Sequence, residues 1–291
     1  MPIIVGTAIF SITNLLDMTM VMSRLLASGA FTQTEASVLY GQLSGKYVVL
    51  TTFPVSFSTA MATAAVPSIA RSVALRDKKM VRKKINVAFR IAMLISIPCA
   101  VGIGVLGDQI LQMLFPAYPS GGMLLKVGSI SIVFLSMCQI VTGILQGIGK
   151  VRYPAINAGV GAVVKFILNY VLIVIPAINV LGAVISTTAC YIVASILNTV
   201  VLARSTGVVP DLMGGIVKPF IASCMMGVVC ILSYKGLMIA GNNTFATAGA
   251  ILIGMAAYFF AMVLIRGFRD EDLETMPMGK KLRRVLNKFG Y

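Results

Sequence analysis

The sequence predicts an all-α bundle of about eight transmembrane helices. Of the 291 residues, 58% are hydrophobic and only 11% are charged, whereas a soluble domain carries about a quarter charged residues. The mean hydropathy is +0.95. The apolar runs are continuous and about 20 residues long, which is the length of a helix that crosses the hydrocarbon of a bilayer. The chain is therefore expected to be a polytopic membrane protein.

The apolar runs predict the positions of the spans. They are expected near residues 3–24, 38–66, 87–107, 125–147, 154–176, 180–203, 216–239 and 244–265. No basic segment precedes the first run, which continues to spanning length, so a cleaved signal peptide is not expected. A basic tail over 266–291 follows the last span.

The tail has its own pattern. Apolar residues recur at i, i+3, i+4 and i+7, namely Leu282, Val285, Leu286 and Phe289, and Lys and Arg occupy most of the positions between them. This pattern is typical of a basic amphipathic helix that lies on anionic membrane lipids. A plain solvated basic tail is the alternative interpretation.

The formal net charge is +15, and its distribution predicts an orientation. The connection after the second span holds eight Lys and Arg, counting Arg90 at the start of the third span, the tail holds seven, and two further connections on that side hold two each. The opposite side holds four, Arg24, Lys46, Lys126 and Lys235. Because cytoplasmic loops collect Lys and Arg, we expect a protein of the cell (plasma) membrane with both termini in the cytoplasm. The positive charge then needs no nucleic acid as a partner.

The composition argues against enzymatic chemistry. The chain has no His, which excludes imidazole catalysis and His-ligated metals. The five cysteines lie inside predicted spans without CxxC spacing, as expected of small apolar residues: Cys99, Cys138, Cys190, Cys224 and Cys230. There is no HExxH sequence and no phosphate-cradling loop. We expect no catalytic residue, no metal and no cofactor.

Lys165 is the clearest ionisable residue at membrane depth. It follows Pro154 by eleven residues, which corresponds to roughly 16 Å along a helix and places it near the middle of the bilayer. Asn157, Gly161 and Asn169 share its flank of the helix. Since charges inside a membrane are costly, the lysine either faces a hydrated path and an anionic substrate or bonds to neighbouring carbonyls and hydroxyls.

The first span carries three polar residues on one face, Asn14, Asp17 and Arg24, at i, i+3 and i+10. Asp17 is the carboxylate that lies well inside a span. Two roles stay open for it: coupling to H⁺ or Na⁺ together with Asn14, or pairing with a basic residue of another helix. Arg24 is expected near the outer end of the span, either as a substrate contact or as a boundary residue.

The second span carries a hydroxyl stripe, formed by Thr52, Ser56, Thr59 and Thr63. Such a face either packs closely against another helix or lines a wet cavity. Two small-xxx-small pairs, Gly143 with Gly147 and Ala155 with Gly159, predict close helix packing.

Three segments together resemble a known family. They are LYGQLSGKYVVLTTFPVSF and its continuation to residue 103, NLLDMTMVMSRL over 14–25, and ILQGIGKVRYPAINAGVGAVVKFILNYVLI over 144–173. They are similar to the polysaccharide-biosynthesis proteins related to stage V sporulation protein B, which lie close to the lipid II flippases in the multidrug/oligosaccharidyl-lipid/polysaccharide exporter superfamily. Members have fourteen helices, arranged as two six-helix lobes and two additional helices. The resemblance implies that this chain matches the second six-helix lobe, over 1–203, and the two additional transmembrane helices, over 204–265.

The resemblance also implies a function and a partner. It implies a flippase lobe that moves an isoprenoid-linked oligosaccharide or peptidoglycan precursor across the membrane by alternating access, together with a missing N-terminal lobe. The flippase branch has an arginine near the start of the helix after the first outer loop, where this chain has Tyr47 and Lys46 is the nearest cation. We therefore expect Arg24, Lys46 and Lys165 to contact the anionic head group, with Asn169 beside Lys165.

Two further hypotheses stay open. A cation-coupled exporter of the multidrug type would use Asp17 and Asn14 as its ion-coupling site. An inactive truncated chain, or a structural membrane subunit, would transport nothing by itself.

Overall fold

The computed structural model describes residues 17–211 and 213–267, and it is helical in nearly all of them. Seven helices in these ranges are long and apolar enough to span a membrane. We label them α2 (Gln33–Ala74), α3 (Lys78–Leu114), α5 (Ile130–Gly147), α6 (Arg152–Leu172), α7 (Leu181–Thr206), α8 (Gly214–Ile239) and α9 (Asn243–Leu264). Residues 17–27 form α1, and the short α4 covers Gly122–Gly128. The predicted all-α membrane bundle is confirmed.

The structure describes only part of the two terminal segments that the sequence predicts. The first predicted span, 3–24, is helical from residue 17, and its earlier part lies outside the described residues. The basic tail helix predicted over 266–291 lies outside them from residue 268 onward. The cytoplasmic placement of both termini stays a prediction.

The sequence predicts a long basic loop after the second span, and this prediction is wrong. Both neighbouring helices extend into it, so that only residues 75–77 separate α2 from α3. Arg76 adopts a left-handed conformation with φ 55°, and the side chain of Asp77 caps α3 by accepting a hydrogen bond from the Met80 N–H. Arg90, which we placed among the loop cations, is a buried residue of α3 with 3% exposure. Hydropathy alone could not detect these extensions because their residues are charged.

α2 is the longest helix and is not uniform. Thr32 and Glu35 form a capping box at its start, in which each side chain bonds to the backbone of the other. Residues Leu43–Val48 form a π-helical turn, a wider turn that often marks functional sites. Pro54 lies inside the helix beyond this turn. The α2 helix is therefore continuous but changes its pitch near its N-terminal end.

The core lies between the long helices and has two main clusters. One cluster joins α2, α3, α5 and α7 around buried side chains such as Phe89, Met93 and Ile140. The second joins α1, α2, α4 and α7, where Leu25, Tyr47 and Leu125 are buried. The last two helices, α8 and α9, pack against each other and against α3. Each helix thus buries one face, and large apolar side chains on the remaining faces are exposed, as expected of surfaces that contact lipid.

Candidate functional site

α6 separates its polar and apolar residues onto opposite faces. Its buried residues are Pro154, Asn157, Gly161, Lys165 and Asn169. Large apolar residues such as Ile156, Val163 and Ile167 are exposed on the rest of the helix. The shared flank predicted from the spacing is therefore confirmed, and it faces the protein interior. We call Asn157, Lys165 and Asn169 the polar seam.

The polar seam ends on the carboxylate of Asp17 in α1. The ammonium Nζ of Lys165 lies 3.1 Å from Asp17 Oδ2, and the amide Nδ2 of Asn169 donates to Asp17 Oδ1 at 2.8 Å. Lys165 is 7% exposed and Asn169 is fully buried. Each oxygen of the carboxylate therefore has its own partner on α6, and of the two roles left open for Asp17 the structure contains the ion pair.

Two buried polar atoms, one on each of these helices, have no hydrogen-bond partner within the described ranges. They are the amide oxygen Oδ1 of Asn169 and the guanidinium Nε of Arg24. Because buried polar groups are nearly always satisfied in native proteins, each of these atoms is a candidate contact for a polar ligand.

The side chain of Arg24, in α1, packs against the C-terminal end of α6. Its Cζ is 3.3 Å from the centroid of the Tyr170 ring, and its Nη2 donates to the Tyr170 carbonyl oxygen at 3.3 Å. This is a cation–π contact supported by a hydrogen bond. Arg24 and Asp17 thus both attach α1 to α6, through the adjacent residues Tyr170 and Asn169.

Lys46 belongs to a different group of contacts. Its Nζ donates to the carbonyl oxygens of Tyr118 at 2.5 Å and Ser120 at 2.8 Å, and it lies 5.4 Å from the Phe115 ring centroid. Lys46 therefore attaches the loop between α3 and α4 to α2. Its contact with a head group stays a prediction, and such a contact would have to compete with these two carbonyls.

Asn14 lies outside the described residues, so its proposed role with Asp17 stays a prediction. Of the remaining candidate residues, the structure brings together Asp17, Lys165 and Asn169, with Arg24 about two turns from Asp17 along α1 and in contact with Tyr170. Lys46 has a separate set of partners.

Sequence reasoning missed Asn198 of α7. This residue is buried, and its Oδ1 accepts from the Nδ2 of Asn157 at 2.7 Å. Its own Nδ2 donates to Thr142 Oγ1 of α5 at 3.0 Å. The polar seam is therefore connected through α7 to α5. An amide inside an apolar span was the available signal, because such groups need a partner within the bilayer.

The hydroxyl stripe of α2 has a different environment. Its four members, Thr52, Ser56, Thr59 and Thr63, are all exposed, and each hydroxyl donates to a carbonyl of its own helix at 2.6 to 3.2 Å. Phe53 and Phe57 are exposed beside them, with their rings in edge contact at 5.9 Å. Within the described part of this chain, no helix covers this face, so it makes no close helix contact among these residues. We call these four residues the hydroxyl face.

The two small-residue pairs have opposite outcomes. A Cβ atom added at Gly147 would lie 2.3 Å from Val66 Cγ1, so α5 and α2 meet closely there as predicted. A Cβ atom at Gly159 would meet nothing within 4 Å, so the close packing predicted at this residue is wrong. The tight contact of α6 is at Gly161, where a Cβ atom would lie 2.9 Å from the Cys190 carbonyl oxygen of α7.

These features define a class of protein: a polytopic α-helical membrane protein with an ion pair buried between two helices. The chain belongs to the lipid II flippase MurJ family, whose model matches residues 1–260. This assignment is consistent with the multidrug/oligosaccharidyl-lipid/polysaccharide exporter superfamily that the sequence resembles.

Curated relatives support the same family. The chain is 28% identical over 270 residues to an uncharacterized membrane protein, YabM, of Bacillus subtilis, an alignment that covers 90% of this chain and 50% of the relative. It is 26% identical to the lipid II flippase MurJ of the same organism, over 82% of this chain and 45% of the relative. The match to its stage V sporulation protein B is 21% identical and covers 89% and 49%. The chain thus spans about half the length of the curated relatives it matches.

Solved structures support the fold. A lipid II flippase MurJ in an inward closed conformation matches with a TM-score of 0.67 and 16% identity, covering 87% of this chain and 51% of that protein. An outward-facing multidrug resistance MATE family transporter of the MOP superfamily matches with a TM-score of 0.56 and 17% identity, covering 94% and 65%. Identities this low indicate a shared architecture only.

Proposed function

We propose that this chain is one lobe of a flippase that moves an isoprenoid-linked oligosaccharide or peptidoglycan precursor across the membrane by alternating access. Membership of the lipid II flippase MurJ family supports the class of substrate. The length, about half that of the curated relatives, supports an incomplete transporter whose partner is an N-terminal lobe.

The hydroxyl face is the observation that carries this proposal. It places four hydroxyls on one exposed side of a membrane-spanning helix, between exposed aromatic rings. Each hydroxyl donates to a carbonyl of its own helix, so the face remains satisfied in an apolar setting, and its oxygens can still accept hydrogen bonds from water. A second lobe opposite α2 would enclose this face in a shared, partly hydrated cavity, which is the arrangement that alternating access requires.

Arg24 is the best-placed cation for an anionic head group. Its guanidinium is held on Tyr170, yet its Nε has no hydrogen-bond partner in the described structure, and guanidinium groups suit phosphate oxygens. Lys46 remains a candidate at the outer end of α2. Lys165 is already paired with Asp17, so its contact with a substrate, and that of Asn169, would require the pair to open.

The proposal also covers the membrane that holds the chain and the orientation of the chain in it. We place the chain in the plasma membrane with both termini in the cytoplasm, as the distribution of Lys and Arg favours. The basic tail would then lie against anionic lipids of the inner leaflet.

The experiment is a flipping assay with the chain and its N-terminal lobe reconstituted together in proteoliposomes. The probe is an isoprenyl-diphosphate disaccharide with a fluorophore on the sugar, and a membrane-impermeant reductant reports which leaflet holds it. We expect flipping with both lobes and none with either lobe alone. Unchanged leaflet distribution with both lobes present would contradict the proposal. Efflux of a small cationic dye that depends on Asp17, without movement of the lipid probe, would favour the multidrug alternative.

A matched pair of variants tests the hydroxyl face itself. Replacing Thr59 and Thr63 by Leu makes the face apolar and narrows the space beside it, so we expect flipping to fall by about tenfold or more, equivalent to about 1.4 kcal/mol. The control replaces Val160 and Val163 of α6, which are exposed on the apolar side of that helix, by Leu. Equal loss in both variants would indicate a general packing effect and would count against a cavity at α2.

A further inference from the structure

Both oxygens of the Asp17 carboxylate are engaged by side chains of α6. Its Oδ2 pairs with the Lys165 ammonium at 3.1 Å and its Oδ1 accepts from the Asn169 amide at 2.8 Å. The Asp17 and Lys165 side chains are 16% and 9% exposed. Both contacts join α1 to α6, two helices separated by more than a hundred residues of sequence.

A carboxylate at this depth needs a positive charge beside it, because an isolated ion is strongly disfavoured away from water. A dissolved Na⁺ or K⁺ is one source of that charge, and a side chain is another. Lys165 supplies it here, and the pair carries no net charge. A second cation at the same carboxylate would lie against the ammonium in a region of low dielectric constant, where repulsion between like charges is large.

We propose that the Lys165 ammonium is a tethered cation that fills the Asp17 site in place of a dissolved monovalent ion. The contact between α1 and α6 is then held without Na⁺ or K⁺. A transporter built on this lobe needs no monovalent cation at Asp17, and the energy for its conformational cycle has to enter elsewhere. This proposal goes beyond the proposed function and does not rest on flipping, since the lobe itself carries the pair.

The Asn169 amide oxygen that lacks a partner gives this proposal a second testable consequence. This amide oxygen lies beside the carboxylate, is buried, and has no hydrogen-bond donor in the described structure. Carboxylate and amide oxygens are the ligands that hard cations prefer. Removing the ammonium while keeping these oxygens should therefore convert the site into one that binds a dissolved cation.

The test measures thermal unfolding of the full chain in detergent, in NaCl and in choline chloride at equal ionic strength. The chain has no Trp but has five Cys, so a thiol-reactive fluorophore can report unfolding. The variants are Lys165→Met, which keeps the length and apolar character of the side chain, and the double variant Asp17→Asn with Lys165→Met, which removes both charges.

We expect the wild-type Tm to be the same in both salts. Lys165→Met should unfold about 10 °C lower in choline chloride, because it leaves an uncompensated buried carboxylate, and NaCl should restore at least half of this loss. The double variant should recover most of the stability in either salt, because no charge remains to be balanced.

Each contrary result overturns the proposal. A wild-type Tm that rises by several degrees in NaCl over choline chloride would show a dissolved cation at the site despite Lys165. A Lys165→Met chain as stable in choline as the wild type would show that the ammonium is not needed. A double variant as unstable as Lys165→Met would show that packing, and not charge, is the role of Lys165. Absence of flipping in proteoliposomes would count against the proposed function and would leave these results unchanged.

Discussion

The polar seam of α6 and the hydroxyl face of α2 are both rows of polar residues at helical spacing inside membrane spans, yet they are used in opposite ways. The seam is buried, and its charged and amide groups bond to other helices. The hydroxyl face is exposed, and its groups bond to the backbone of their own helix. Amides and charges need partners from elsewhere, whereas Ser and Thr can satisfy themselves locally. Polar chemistry therefore distinguishes a row that joins helices from a row that remains free for a second surface.

The largest expected effect is at the ion pair. Replacing Asp17 by Leu leaves the buried Lys165 ammonium without its counter-ion, which should lower the free energy of unfolding by about 3–5 kcal/mol. Thermal unfolding in detergent, followed with the thiol-reactive fluorophore, provides the measurement. The control is Asp17→Leu combined with Lys165→Leu, which should be much less destabilised. If the two substitutions are additive, the pair is not an interacting unit.

The next effect concerns the contact between α6 and α7, and α6 offers its own control two residues away. A Cβ atom at Gly161 would lie 2.9 Å from the Cys190 carbonyl oxygen, so Gly161→Ala should cost about 1–3 kcal/mol through overpacking. Gly159 has open space around it, so Gly159→Ala should be neutral or stabilising by up to about 1 kcal/mol. Equal effects of the two substitutions would mean that α6 is not held against α7 by this face.

A smaller effect is expected where the seam continues into α7 and α5. Asn198→Leu removes the acceptor of the Asn157 amide and the donor to Thr142, which should cost about 1–2 kcal/mol, within the range of interhelical hydrogen bonds in membranes. The same unfolding assay applies. Thr199→Val is the control, because its hydroxyl bonds to the backbone of its own helix at 2.7 Å. A loss as large for Thr199→Val would argue against a special role of the connection.

The smallest effect on stability should come from the hydroxyl face. Thr52→Val removes a hydroxyl that bonds to the Val48 carbonyl at 2.6 Å, and we expect a change in the free energy of unfolding of at most about 0.5 kcal/mol. The loss of flipping rate, expressed as a free energy, should exceed this loss of stability. A destabilisation as large as that of Asn198→Leu would show that the hydroxyl face is structural, and the contrast between the two rows would fail.

Much of the fold was predictable because hydropathy reports burial in lipid directly. The spans and the shared flank of Lys165 and Asn169 follow from periodicity within one helix. The partner of Lys165 does not, because Asp17 lies 148 residues earlier in the chain and spacing carries no information about contacts between helices. The same limit applies to Lys46, whose partners are backbone carbonyls of a loop and therefore leave no mark in residue type. The helical extensions around 71–90 were missed because charge hides them from a hydropathy window.

The π-helical turn at Leu43–Val48 has a consequence for how this protein can vary through descent. Such a turn holds one residue more than an α-helical turn, and each residue of an α-helix advances the chain by about 100° around the axis. Because a π-helical turn and an α-helical turn each complete about one revolution, a lineage that lost the extra residue here would keep an unbroken helix. Thr52, Ser56, Thr59 and Thr63 would keep nearly the same orientation about the helix axis relative to the segment before the turn. A single-residue deletion in the regular α-helical part of α2 would instead rotate every later side chain by about 100°. Single-residue length changes should therefore be tolerated better in this short stretch than in the rest of α2.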